Sequence, residues 1–159
     1  MLFSLLEALP APLEQALSQL RAQVARLDGV VVAYSGGVDS ALVAAIAAEQ
    51  LGPRAQAITG VSPALAPHLR QEAHQQAAWL GINHLEIMTA ELDDPGYASN
   101  PDGRCYACKQ ELHRLLAPIA AAAGGAQVID GVNRDDLGDY RPGIRAAREH
   151  GVISPLAEA

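Results

Sequence analysis

Lysine is nearly missing from this chain. Of its 159 residues 11 are basic, ten of them arginines, and Lys109 is the single lysine. Against 18 acidic residues the formal charge is −7, so the broad cationic face that phosphate-backbone binding needs is not there. A nucleic-acid partner is not favoured, although a small basic pocket fits within that balance. Cysteine is scarce as well, with two residues in Cys105-Tyr106-Ala107-Cys108. No positive segment precedes the apolar residues of the N-terminus, so a secretory leader is not expected. No apolar run approaches the roughly 18 to 20 residues needed to span a bilayer, so no membrane role is expected either. The chain is read as cytoplasmic. Internal repeats, linkers and low-complexity tracts are also lacking, which leaves one domain, residues 1–159, able to bury about two-thirds of the surface its unfolded form would expose.

What is present is a strict alternation. Leu13, Leu17, Leu20, Val24 and Leu27 recur at spacings of four and three, which predicts an amphipathic helix ending near Asp28-Gly29. Val30 to Tyr34 is apolar throughout, as in a central parallel strand covered on both faces. A helix from about Asp39 to Leu51 stops at Gly52-Pro53, and a strand is expected around Ala55 to Thr59. Then come a helix over Pro67 to Leu80, a strand over His84 to Met88 and a polar loop from Glu91 to Gly103. A helix beginning near Cys105 is expected to kink or end at Pro118. A strand at Gln127 to Asp130, a short helix after Pro142 and a last strand at Val152-Ile153 follow. Ser154 to Ala159 ends without a capped element, which reads as a domain truncated at its C-terminal end. The fold class is α/β, a five-stranded parallel sheet with helices on both faces. Ligands of such sheets bind beyond the carboxyl ends of the strands where strand order reverses. The loops after Tyr34 and after Asp130 are the candidates to border that crevice.

The first of these loops is Ser35-Gly36-Gly37-Val38-Asp39-Ser40. Strand, Gly-rich turn and helix start in that order bring backbone N–H groups and the positive end of a helix dipole to one point, which suits a phosphate. The alternative is a plain tight turn with Asp39 and Ser40 as helix caps. The loop has neither the lysine of G-x-x-x-x-G-K-[ST] nor the spacing of G-x-G-x-x-G. A carboxylate would repel bare phosphate, so Asp39 makes chemical sense as a ligand of Mg²⁺ bridging phosphate oxygens. Cys105 and Cys108 have three readings. They are packed thiols, half of a zinc site that lacks its other ligands, or thiolates favoured by a helix start and by Arg104 and Lys109. In the loop after Asp130, Gly131 allows close approach, Asn133 and Asp136 can orient a ligand, and Arg141 can pair with a phosphate or carboxylate. Trp79 and His68, His74, His84, His113 and His150 read as packing, helix or surface residues.

The hexapeptide resembles the SGGxDS loop of the PP-loop ATP pyrophosphatases, which implies an adenine nucleotide alpha hydrolase-like, Rossmann-like fold. Carried over by position, Ser35, Gly36, Gly37, Val38, Asp39 and Ser40 bind ATP phosphates and Mg²⁺, with Asp39 and Ser40 in the catalytic centre. Thr59 and Ser62 are where the resemblance places adenosine, and Gly131 belongs to the same nucleotide site. Arg104-Cys105-Tyr106-Ala107-Cys108-Lys109 is similar to the RCYxCK signature of one branch, the ATP-dependent sacrificial sulfur transferases of the LarE type. The tract from Asp130 to Gly143 is similar to that branch's DGxNxDDxxDYRPG segment. This resemblance implies adenylation of a pyridinium dicarboxylate mononucleotide, then sulfur insertion for the nickel-pincer cofactor of lactate racemase. Arg104, Lys109, Asn133, Asp136 and Arg141 would face substrate. Cys105 and Cys108 would serve catalysis or, with a third cysteine downstream, a 4Fe–4S cluster. The branch's sacrificial cysteine lies in a later segment and matches neither cysteine here. Two alternatives stay open: a tRNA-thiolating or amide-forming relative, and a non-catalytic nucleotide-binding module. The apolar start Met1-Leu2-Phe3 with Leu5 and Leu6 is a candidate homo-oligomer contact.

Overall fold

Four consecutive apolar residues, Val30 to Ala33, have no polar face to offer water, and they form the buried centre of the sheet. The computed structural model describes residues 7–62, 65–89, 101–133 and 151–158, with residues 101–111 and 158 described by backbone alone. In chain order the elements are α1 (Ala11–Ala25), β1 (Val30–Ala33), α2 (Val38–Leu51), a 3₁₀ turn (Gly52–Arg54), β2 (Ala55–Val61) and α3 (Pro67–Leu80). They continue with β3 (His84–Met88), α4 (Pro101–Ala122), β4 (Gln127–Ile129) and the short α5 (Pro155–Glu158). The strands pair in parallel in the order β3-β2-β1-β4. The chain thus runs outward from β1 to β3 and returns to β4 on β1's other side, which puts the reversal of strand order between β1 and β4.

Side chains alternate across a strand, and the core splits accordingly. Val30, Val32, Ala55, Ala57 and Ile129 point to one face, where α1, α2 and α3 cover them with Leu20, Val24, Val43, Ile46, Ala73 and Ala77. Val31, Ala33, Ile58 and Val128 point to the other and meet Leu112, Leu116 and Ala120 of α4. Alanines 41, 44, 45 and 47 are buried along α2 with Val43, Ile46 and Leu51. Their small side chains let it lie close against α1, α3, β1 and β2 at once.

The structure corrects four expectations. The sheet has four strands among the described residues. Val152-Ile153, set between Gly151 and Pro155, contributes a single parallel bridge, Ile153 to Ile129, because two residues are too few for a ladder. The cysteine helix starts at Pro101 rather than near Cys105, consistent with proline's preference for the first helical position. Pro118 lies inside that helix without ending it. It is on the exposed side of the helix. The terminal segment carries the helical turn α5, with Leu156 packed on the core. The short helix expected after Pro142 lies outside the described residues.

One polar knot ties the sheet together beneath the loop that follows β1. Thr59 is 4% exposed, and its hydroxyl lies 2.7 Å from both the Tyr34 carbonyl and His84 Nε2. A carbonyl can only accept, so the single hydroxyl hydrogen goes to Tyr34. His84 must then donate from Nε2, which fixes a neutral tautomer whose Nδ1 is buried without a hydrogen-bond partner. The Tyr34 ring meets His84 edge-on at 5.3 Å, and its hydroxyl bonds Gln76 of α3. Burial pushes the His84 pKa down; Glu86 opposes this and His74 adds to it.

Two outcomes are expected. Between the unfolded-state pKa of about 6.5 and the lower folded value, the unfolded chain binds more protons at His84, so this contribution to stability is complete above pH 6.5 and is lost on acidification. The urea midpoint should fall from pH 7 to pH 5, and fall less in His84→Gln. Leu116, fully buried on the α4 face, should cost about 2–5 kcal/mol when cut to alanine, read from the same denaturation curves.

Candidate functional site

The chain leaves β1 through Tyr34 and turns at Gly36, whose φ of 87° suits glycine. A side chain there would also collide with α3, since a Cβ would lie 2.9 Å from that of Ala73. Gly37 is the N-cap of α2, and no side chain caps that helix. The cap roles open to Asp39 and Ser40 are therefore not filled. Val38, Asp39 and Ser40 precede the first helical hydrogen bond, donated by the Ala41 N–H to the Gly37 carbonyl at 3.0 Å. Their N–H groups and the helix dipole make the local potential positive at this end of β1.

Hydrogen bonds within the loop hold this shape. Ser40 is 5% exposed; its Oγ accepts from the Ser35 N–H at 3.2 Å and donates to the Gly37 carbonyl at 3.2 Å. Ser35 Oγ accepts from the Gly37 N–H at 3.2 Å and lies 3.0 Å from Ser40 Oγ. With Ser40's hydrogen committed to Gly37, Ser35 is the donor in that pair, and each polar hydrogen has one acceptor. Both hydroxyls are thus engaged within the loop, and no side chain caps the N–H groups at the start of α2. Val38, 81% exposed, points away from the core.

The loop after β4 closes directly on this helix start. A Cβ on Gly131 would lie 2.6 Å from the Ser40 nitrogen and 2.9 Å from the Asp39 carbonyl carbon, so only glycine permits the contact. Asp130 is buried, and its Oδ1 accepts from the Val132 N–H at 3.1 Å and from Ser154 Oγ at 2.7 Å. Asn133 then donates from Nδ2 to Asp39 Oδ2 at 2.8 Å. Two loops whose bonded residues stand 94 apart in sequence are joined at the reversal of strand order, as the sequence led one to expect.

Thr59 sits below this crevice with its hydroxyl engaged by the scaffold. Ser62, at the carboxyl end of β2, lines a cleft of about 370 Å³ with Val61, Pro67, Arg70, His74 and Glu86. Arg70 Nε donates to Glu86 Oε2 at 2.6 Å, and that hydrogen bond and charge hold the Glu86 carboxyl below its usual range. Cys105 and Cys108 occupy the fifth and eighth positions of α4, past the first turn. The side chains of Arg104, Cys105, Cys108 and Lys109, and the whole of Asp136, Arg141 and His150, lie outside the described residues. Trp79 is a surface residue, 78% exposed, and His113 is buried. Sequence reasoning missed the knot of Tyr34, Thr59 and His84 and the clasp of Ser154 on Asp130. Neither has a signal in spacing, because each joins residues from separate elements.

Among the described residues no group of three or more His, Cys, Asp or Glu side chains is arranged to hold a metal ion, and no helix is long and apolar enough to cross a membrane. A magnesium ion is commonly held by one or two carboxylates plus substrate phosphates, with water completing its shell. One hard oxygen donor, Asp39, beside an anion cradle fits that mode.

Residues 11–104 match the family model described as NAD synthase. The Synechocystis protein slr1717 is 55% identical over 92% of this chain and 54% of its own length. The pyridinium-3,5-bisthiocarboxylic acid mononucleotide synthase of Lactiplantibacillus plantarum is 35% identical over 94% of this chain and 54% of its own length. The chain thus spans about half the length of these curated relatives. Among solved structures, the NMN synthetase of Francisella tularensis superposes with a TM-score of 0.70 at 21% identity, covering 90% of this chain and 63% of that one. With the parallel sheet, the Gly-Gly turn at the end of β1 and the matched residues taken together, the chain belongs to the NAD synthase family of the PP-loop superfamily.

Proposed function

We propose that this chain is the ATP-activating domain of an ATP-dependent sulfur transferase that adenylates the carboxylate of a pyridinium dicarboxylate mononucleotide. The observation that carries the reading is the start of α2, an uncapped helix N-terminus with Asp39 in its first turn and Ser35 and Ser40 bonded into a closed loop beneath it. The pyrophosphate end of ATP would rest on the N–H groups of Val38 to Ser40. Asp39 would hold magnesium, which supplies charge neutralisation at the phosphates. The cleft beside Ser62 would take adenosine. The choice of substrate is supported by the 35% identity to the bisthiocarboxylic acid mononucleotide synthase across nearly the whole chain.

The work of the chain's own residues is positioning and charge stabilisation. A substrate carboxylate oxygen attacks the α-phosphorus, the bond to the bridging oxygen of pyrophosphate breaks, and that oxygen leaves with the electron pair. Donors fixed before the reaction stabilise the added charge without reorganising. The acyl-adenylate then accepts a sulfur nucleophile at its carbonyl carbon and expels AMP. Arg104, Lys109, Asp136 and Arg141 would hold the substrate. Cys105 and Cys108 lie three apart in the sequence of α4, and soft thiolates would suit an iron–sulfur cluster completed by another cysteine. The NAD synthase family match favours a second reading, in which ammonia nitrogen attacks the same adenylate instead; an NH3-dependent NAD synthetase from Campylobacter jejuni shares the fold.

Exchange of labelled pyrophosphate into ATP, measured with the carboxylated mononucleotide, tests the adenylation. Exchange should require the mononucleotide and magnesium, and Asp39→Ala should reduce it on the order of a hundredfold, or about 2.7 kcal/mol in the barrier. No exchange, or exchange indifferent to Asp39, would overturn the proposal. The mass of the product, thioacid or amide, separates the two readings.

A further inference from the structure

Asn133 has a role that the phosphate cradle alone does not require. Its amide nitrogen donates to one particular oxygen of Asp39, Oδ2, at 2.8 Å. An aspartate side chain that is only half-buried in the first turn of a helix has more than one accessible rotamer, and a magnesium ion held partly by phosphates needs its carboxylate ligand in one of them. A neutral amide donor is suited to that restraint. It engages one lone pair of one oxygen and leaves the carboxylate charged, whereas a lysine or arginine there would offset the charge that attracts the metal.

The platform beneath Asn133 is rigid for reasons visible in the chain. Gly131 brings the β4 loop into contact with the backbone of Asp39 and Ser40. Asp130 fixes the turn by accepting from Val132 and from Ser154. Ile153, bonded to Val128 and Asp130 through its backbone, braces β4 from its outer side. Two independent contacts, one of backbone and one of side chain, therefore hold the loop after β4 to the start of α2.

We propose that Asn133 is a positioning residue for Asp39, presenting the opposite carboxylate oxygen, Oδ1, to the magnesium of a bound nucleotide. The loop after β4 thereby sets the metal dependence of the loop after β1. This rests on the reading of Asp39 as the metal-facing carboxylate. Asn133 acts through Asp39, and substrate contact is not needed for the effect.

Calorimetric titration of the intact protein with ATP, with and without magnesium, tests it, using the native protein, Asn133→Ala, Asp39→Ala and the double variant. Asn133→Ala should weaken nucleotide binding about tenfold with magnesium present, equivalent to about 1.4 kcal/mol, and leave binding without magnesium unchanged. In the Asp39→Ala background the same change should have no further effect, since the interaction it removes is already gone. Equal losses with and without magnesium, or additive losses in the double variant, would overturn the proposal. Native protein whose ATP binding ignores magnesium would instead refute the underlying reading of Asp39.

Discussion

The close seating of the β4 loop on the first turn of α2 is the contact on which the rest of the site depends. It needs a glycine at position 131, because any Cβ would fall within the backbone of Asp39 and Ser40. It also needs β4 to be β1's neighbour, which follows from the return of the chain across the sheet after β3. Those two conditions bring the hydrogen-bonded Ser35 to Ser40 loop and the Asp130 to Asn133 turn to one crevice.

Below the crevice, the sheet is fastened by a mixture of apolar packing and one polar knot. β1 is buried on both faces, so its position is set by the hydrophobic effect acting from two sides. The knot of Tyr34, Thr59, His84 and Gln76 adds direction, which apolar packing cannot supply. It fixes the carbonyl of the residue immediately before Ser35, and so the angle at which the chain enters the turn. Its cost is a buried imidazole nitrogen without a hydrogen-bond partner.

Much of this is legible in the residues. Periodicity locates α1, and the all-apolar run identifies β1 as central. The rule for strand-order reversal assigns the Gly-Gly turn and Asp130-Gly131-Val132-Asn133 to one crevice, and the bond between Asn133 and Asp39 joins them. What is not legible depends on tertiary context. Val152-Ile153 has strand composition but only enough length for one bridge. Pro118 reads as a breaker, yet it lies on an exposed helix face where the break is tolerated. The hydroxyls of Ser35, Ser40 and Thr59 read as ligand contacts, and in the fold each is engaged by neighbouring groups of the scaffold. Membership of the NAD synthase family agrees with the sequence resemblance at the level of superfamily and fold.

An anion bound at the start of α2 would be reported by the amide chemical shifts of that turn. In ¹⁵N-resolved spectra recorded during a titration with ATP and magnesium, the N–H groups of Val38, Asp39 and Ser40 should move most, saturating together with those of Val132 and Asn133. Inorganic pyrophosphate alone should move the same α2 amides and leave those of Ser62 and His74, beside the neighbouring cleft, in place. Shifts confined to Ser62 and His74, with Val38 to Ser40 unmoved by either ligand, would contradict the account.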